Sequence, residues 1–210
     1  MSQLKESLGR RFARLTTNAV VRRPALWRMF RRPMERQFDS LAPVWETRIT
    51  PHHVHALDQA LADVPAPKRA LDVGSGTGVA AFAVARRFPE AEVVGVDLSA
   101  QMVDQAREKT PPELAERVRF QVGDASALPF EQGSFDLVTL MNAIPFFDEL
   151  ARVASPGATV VASFSRGAET PIYVPDARLR SELERRGFTQ FASFAVEPAT
   201  AFLAVRDSRA

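Results

Sequence analysis

Three glycines two residues apart, Gly74, Gly76 and Gly78, stand in "LDVGSGTG" between a short apolar burst and the helix-like stretch "VAAFAVARRF". Glycine is needed where the backbone takes a positive φ or must approach a ligand too closely for a side chain. Nineteen residues after Gly78, the next apolar burst, "EVVGV", ends in Asp97. Strand, glycine turn, helix and a second strand closed by an acid make one crossover unit of a parallel sheet. Such a unit puts the turn and the carboxylate at the same end of the sheet, where the acid can accept both hydroxyls of a ribose. The expected ligand is an adenosine-containing cofactor lying across the carboxyl ends of the first two strands. No other stretch limits the fold as strongly, and it limits it to α/β.

The rest of the body extends that sheet. Strands are expected over residues 70–73, 92–96, 118–122, 135–140, 159–164, 188–196 and 201–205, and helices over 78–88, 100–109, 147–153 and 176–186. Apolar bursts alternating with helical stretches argue for parallel strands covered by helices. The last two strands are joined only by "EPAT". That is too short for a crossover helix, so they form an antiparallel hairpin.

Ahead of the sheet the chain changes character. Residues 1–48 carry eleven Lys/Arg against four Asp/Glu, the remainder sixteen against twenty-one. A basic head of this kind suits an anionic surface, nucleic acid or the acidic body itself. Leu4, Leu8, Phe12 and Leu15 recur at helical spacing and predict one apolar helix face. Pro24 and Pro33 bracket "ALWRMFRR", which reads as a short helix between two bends. Thr50-Pro51 resembles a cap followed by proline in the first turn, opening a helix to about residue 61. The expected organisation is a helical cap over residues 1–63 and a cofactor-binding domain over 64–210. The chain has no cysteine, which removes disulfides, thiolate metal sites and cysteine nucleophiles. Its longest apolar run, residues 79–85, is far below the roughly 18 residues of a membrane-spanning helix. A cytoplasmic protein, peripheral to a membrane through its basic head, is the expectation.

The glycine spacing chooses among adenosine cofactors. Dinucleotide sites use G-x-G-x-x-G to seat a pyrophosphate on a helix N-terminus. Here the order is Asp72-x-Gly74-x-Gly76-x-Gly78, and the chain resembles the class I S-adenosylmethionine-dependent methyltransferases, of the small-molecule, quinone-biosynthesis-like type. The resemblance runs through "DVGSGTG", "VGVDLSAQM", "GDASALPF" with Asp124, Ala125, Leu128 and Pro129, "FDLV" at 135–138 and "ARV" with "PGA" at 151–158, in order over about residues 38–205. It implies a Rossmann-like seven-stranded, mostly parallel sheet in the order 3-2-1-4-5-7-6, strand seven antiparallel, with helices on both faces.

Further roles follow from the resemblance. Asp72 and the glycine loop pass beneath the methionine part of the cofactor, and Asp97 holds the ribose. Leu98 and Met102 press on adenine, Asp124 and the backbone of Ala125 recognise its amine, and Asn142 lies near the sulfonium. Trp45, in "FDSLAPVWE", replaces a tyrosine that the family often carries there, so a ring over the cofactor survives without its hydroxyl. Methyl transfer is mostly alignment, and a base is needed only when the acceptor must lose a proton. The residues that could serve are His52, His53, His55 and the single Tyr173, of which His52 and His55, three apart on the expected helix, and Tyr173 are singled out; no metal is expected. A lid lined by Leu26, Trp27, Phe30, Phe38 and Trp45 suits a small apolar or aromatic acceptor. Nucleic acid is disfavoured, because "NAIPFF" stands at 142–147 in place of the "NPPY" or "DPPY" of amino-methylating enzymes. Two alternatives stay open, a non-catalytic cofactor-binding interaction module and an NAD-dependent oxidoreductase. A closed apolar cavity at the sulfonium position separates the enzyme from the module, which needs only an open face.

Overall fold

A computed structural model describes residues 2–209, and for residues 2–6, 51 and 52 it describes the backbone only. The side chains of Leu4 and His52 therefore lie outside the described residues. Strands β1 (Arg69–Val73), β2 (Glu92–Asp97), β3 (Val118–Val122), β4 (Phe135–Met141), β5 (Ala154–Phe164), β6 (Phe188–Val196) and β7 (Ala199–Arg206) form one sheet in the order 3-2-1-4-5-7-6. β1 to β5 run parallel, and β7 is antiparallel to both neighbours. This is the implied order with the implied reversal. The body's parallel strands are apolar along most of their length because helices cover both faces of the sheet.

On one face lie α3 (His55–Ala62), α4 (Val79–Arg87) and α5 (Ala100–Glu108), on the other α6 (Phe147–Val153) and α7 (Asp176–Glu184). In α4 the apolar residues Ala80, Ala81, Phe82, Val84 and Ala85 are all buried, since the helix is wedged between the sheet and α3. Sequence grouping put α3 with the head, yet it packs on β5, β6 and β7 and belongs to the sheet's own core.

The chain before α3 forms a cap over the carboxyl ends of the strands. It consists of α1 (Ser2–Arg22), α2 (Trp27–Leu41) and three 3-10 turns, Pro24–Leu26, Ala42–Arg48 and Pro51–Val54. Ala13, Val20, Trp27 and Met34 build a separate apolar cluster with Ile144, Phe146 and Ile172 from the body's loops. Two expectations about the cap fail. Leu8 and Leu15 are 55% and 66% exposed, while the buried face of α1 is Ala13, Thr16, Thr17 and Val20. Small residues let α1 sit close to its neighbours, and the leucine face is left outward. Pro33 does not end a helix either; α2 runs through it. Trp27, Phe30, Met34, Phe38 and Leu41 continue one helical stripe across the proline, and the carbonyl that Pro33 cannot serve belongs to Met29, on the solvent side. Among the described residues no helix is long and apolar enough to cross a membrane.

Candidate cofactor and acceptor site

A cavity of about 980 Å³ lies between the carboxyl edge of the sheet and the cap. Its floor is the glycine loop. The amides of Gly74 and Ser75 both donate to the Val96 carbonyl, at 2.8 and 3.0 Å, which pins the loop against the end of β2. Gly74, Gly76 and Gly78 take φ values of 70°, 51° and 93°, a region costly for any other residue. A Cβ on Gly74 would stand 2.6 Å from that of Ala143, and one on Gly78 would stand 2.7 Å from the Phe120 ring. At Gly76 the nearest atom would be Trp45 Nε1 at 3.7 Å, so the loop's bare backbone faces the indole across the cavity. Gly78 itself is packed against Phe82 and Phe120 and does not line the cavity.

Asp97 closes β2 where the sequence places it. Its Oδ2 accepts from the Gly76 amide at 2.8 Å and its Oδ1 from the Ser99 amide at 2.9 Å. Burial pushes the Asp97 carboxyl up, helped by Asp39, against the pull of those amides. Asp39 is tied to the same corner by the Ser99 hydroxyl, which donates to it. Asp72 is 1% exposed. Thr139 Oγ1 donates to its Oδ1 at 3.0 Å, whereas its Oδ2 has no partner among the described residues. Burial pushes this carboxyl up to about 7. An orphaned carboxylate oxygen lining a cavity is a site for a cation or a donor.

Leu98, Met102, Ala125 and Asn142 also line the cavity. Asn142 holds a φ of 54°, uncommon outside glycine, and its side chain is fully used. Nδ2 donates to Ser165 Oγ at 3.0 Å and Oδ1 accepts from the Ser165 amide at 2.9 Å, which ties the end of β4 to the end of β5. Asp124 is placed differently. Trp27 Nε1 donates to its Oδ1 at 2.9 Å, Arg31 Nε lies 2.9 Å from its Oδ2, and Ser126 adds its amide and hydroxyl. The carboxylate faces the cap and is absent from the cavity wall. Leu26 and Phe30 are also absent, Phe30 leaning on Phe12, while Trp27, Phe38 and Trp45 are present. The rest of the apolar end comes from Met34, Leu41, Ile49, Ile144, Phe146 and Ile172.

The cap is latched at four of the strand-end loops. Glu46 Oε1 accepts from Thr77 Oγ1 at 2.7 Å and pairs with Lys109 Nζ at 2.7 Å. Asp39 meets Ser99, Trp27 and Arg31 meet Asp124, and Arg14 donates to the carbonyls of Ala168 and Thr170 at 2.7 Å each.

Among the described side chains the histidine in the cavity wall is His53. His55 is exposed and absent from the cavity wall, and Tyr173 packs on Phe164 outside it. The expected α-helix there would align His52 with His55, but residues 51–54 form a 3-10 turn, and the tighter turn changes which side chains face inward. The Thr50 amide lies 2.9 Å from His53 Nδ1. The Thr50 hydroxyl and carbonyl lie 2.9 and 3.2 Å from the same nitrogen, and in the tautomer that carries its proton there Nδ1 donates to the carbonyl and Nε2 is an acceptor. Burial lowers the His53 pKa, with Arg166 adding to the effect, and keeps the ring neutral near pH 7.

Residues 70–160 match the family model of the methyltransferase domain. The core is a class I methyltransferase fold. Over 113 residues the chain is 43% identical to the demethylmenaquinone methyltransferase of Thermus thermophilus, covering 50% of each chain. Over 119 residues it is 41% identical to the ubiquinone/menaquinone biosynthesis C-methyltransferase of Dinoroseobacter shibae, covering 51% of this chain and 48% of that one. The chain thus spans about half the length of these curated relatives. The solved S-adenosylmethionine-dependent methyltransferase of Aquifex aeolicus superposes with a TM-score of 0.64 at 17% identity, covering 78% of this chain and 97% of that one, which supports the fold.

Proposed function

We propose that the chain transfers a methyl group from S-adenosylmethionine to a small apolar acceptor of the quinol type. The observation that carries this reading is one continuous cavity, which joins the glycine loop and Asp97 to an apolar end under the cap. Its volume suits a cofactor with an acceptor beside it. The names of the relatives support a quinone-like ring as that acceptor. The names of the relatives favour an enzyme over a non-catalytic interaction module. An NAD-dependent oxidoreductase has no support in the relatives.

When bound, the cofactor supplies a methyl group on a sulfonium, open to in-line displacement. Asp97, already oriented by two amides, holds the ribose hydroxyls. The bare loop at Gly74 and Gly76 lets the methionine part lie on backbone, and Asp72 faces its positive charge with the oxygen that lacks a partner. Leu98 and Met102 flank the adenine, with the Ala125 backbone at its edge, and Asp124 reaches it only when Trp27 and Arg31 release the carboxylate. Asn142 shapes the turn at the reacting end. At the acceptor, the neutral His53 ring, in the tautomer whose Nδ1 donates to Thr50, would take up at Nε2 the proton that a quinol hydroxyl loses as its ring carbon or oxygen attacks.

The reading includes a cytoplasmic setting at a membrane surface. Leu8, Arg11 and Leu15 make an outward apolar and basic stripe on α1, suited to anionic lipid. The test of the central claim is calorimetric titration with S-adenosylhomocysteine and, separately, NADH. Binding of the former alone, weakened about 10- to 100-fold by Asp97→Ala, is expected. Binding of NADH alone would overturn it. Turnover of a demethylated quinol should then fall in His53→Phe with little change in cofactor affinity.

A further inference from the structure

A second cleft, of about 770 Å³, lies between the cap and helices α6 and α7. Seven arginines line it against four carboxylates. The carboxylates are all engaged. Asp124 is paired with Arg31, Glu149 with Arg152, and Asp148 with Arg186. Glu182, 5% exposed, is shared by Arg178, Arg185 and Arg186. Neutralisation is therefore incomplete on the α7 side. On the cap side, Arg22, Arg28 and Arg32 have no hydrogen-bond or ion-pair partner among the described residues. Arg178 Nε is buried in the same wall without a partner, although its other nitrogen donates to the Val21 carbonyl at 3.2 Å. Like charges gathered in a concave surface repel one another, and an anion with several acceptor oxygens relieves that repulsion while satisfying the open donors. Val21, Phe147 and the edge-to-face pair Trp27 and Phe146, whose centroids are 5.3 Å apart, give the cleft an apolar side.

We propose that this cleft is a binding site for a phosphate ester or diphosphate, with Arg22, Arg28 and Arg32 as its cap-side ligands and the α7 arginines opposite. It is separate from the cofactor cavity, with Trp27 and Phe146 as the common wall. A soluble phosphorylated molecule and a lipid head group share this chemistry, and the experiment separates them. The full chain is titrated calorimetrically with inorganic pyrophosphate, and in parallel floated with vesicles of phosphatidic acid or of phosphatidylcholine alone. Each is repeated with Arg28→Gln/Arg32→Gln and with Arg36→Gln/Arg86→Gln, which removes the same charge from exposed positions outside the cleft. The cleft pair should weaken binding about tenfold or more and the control pair about twofold at most. Pyrophosphate binding with that contrast establishes the site for soluble ligands. Selective flotation with phosphatidic acid, showing the same contrast without pyrophosphate binding, assigns it to lipid. Binding of neither, or equal weakening by both pairs, overturns the proposal.

Discussion

The glycine loop and the cap face each other across one cavity and are held in place by different physics. The loop is fixed by backbone hydrogen bonds to the end of β2, by a shortage of space at Gly74 and Gly78 and by positive φ at all three glycines, so that any side chain there is strained. The cap rests on side chains reaching between elements far apart in the sequence, as in Trp27 to Asp124 or Arg14 to the carbonyls of Ala168 and Thr170. Backbone order is cooperative and all-or-none, whereas side-chain latches break one at a time. A cofactor therefore meets a rigid floor under a roof that opens in steps.

Substitution at the floor should break this contrast most severely. Gly74→Ala sets a Cβ against Ala143 at a φ of 70°, and about 2 to 3 kcal/mol of stability should be lost, together with cofactor binding, as read by denaturant midpoints and titration. Asp72 sharpens it through pH. Its carboxyl sits at about 7 in the fold against 3.8 unperturbed, so the unfolded chain loses this proton first. Stability from this group falls as pH rises from about 4 to about 7, and Asp72→Asn should melt higher than wild type near pH 8 but not near pH 4. Cofactor binding has the opposite sign. Only the ionised carboxylate attracts the cation, so wild-type affinity for S-adenosylmethionine should rise about tenfold between roughly pH 6 and pH 8, and stay flat in the variant.

The roof should respond more mildly. Arg14→Ala removes two carbonyl contacts, and hydrogen exchange in α1 and α2 should report about 1 to 2 kcal/mol of local destabilisation while the sheet is unchanged. Leu15→Gln, on the outward face of α1, should leave stability within about 0.5 kcal/mol and show itself only as weaker flotation with anionic vesicles.

The same contrast governs what could be read from the sequence. Strands 118–122 and 188–196 and helix 147–153 stand where periodicity puts them, because period-2 and period-3.6 patterns report burial against a sheet. β5 begins at Ala154, five residues early, because "SPGAT" carries turn residues yet continues the strand through a register shift opposite Phe135. Asp97 and the glycines could be placed because chain order dictates their neighbours. Asp124 could be located but not its direction, since Trp27 lies 97 residues away and nothing local encodes their meeting. The inward facing of His53 was hidden for a related reason. A four-residue 3-10 turn has no periodicity of its own, so facing cannot be computed from spacing. The outward leucines of α1 misled because a helical stripe shows that a face is apolar without showing what covers it.

Arg10 and Arg14 grip the carbonyls of residues 168–170, and Thr170, Pro171 and Ile172 belong to the wall of the acceptor end. The shape of that wall is thus set from outside the sheet, by a helix that the cofactor's floor does not need. Exchanging α1 and α2 for another hairpin is a change of mould on an unchanged press: a new acceptor end over the same glycine loop, reached without altering a strand.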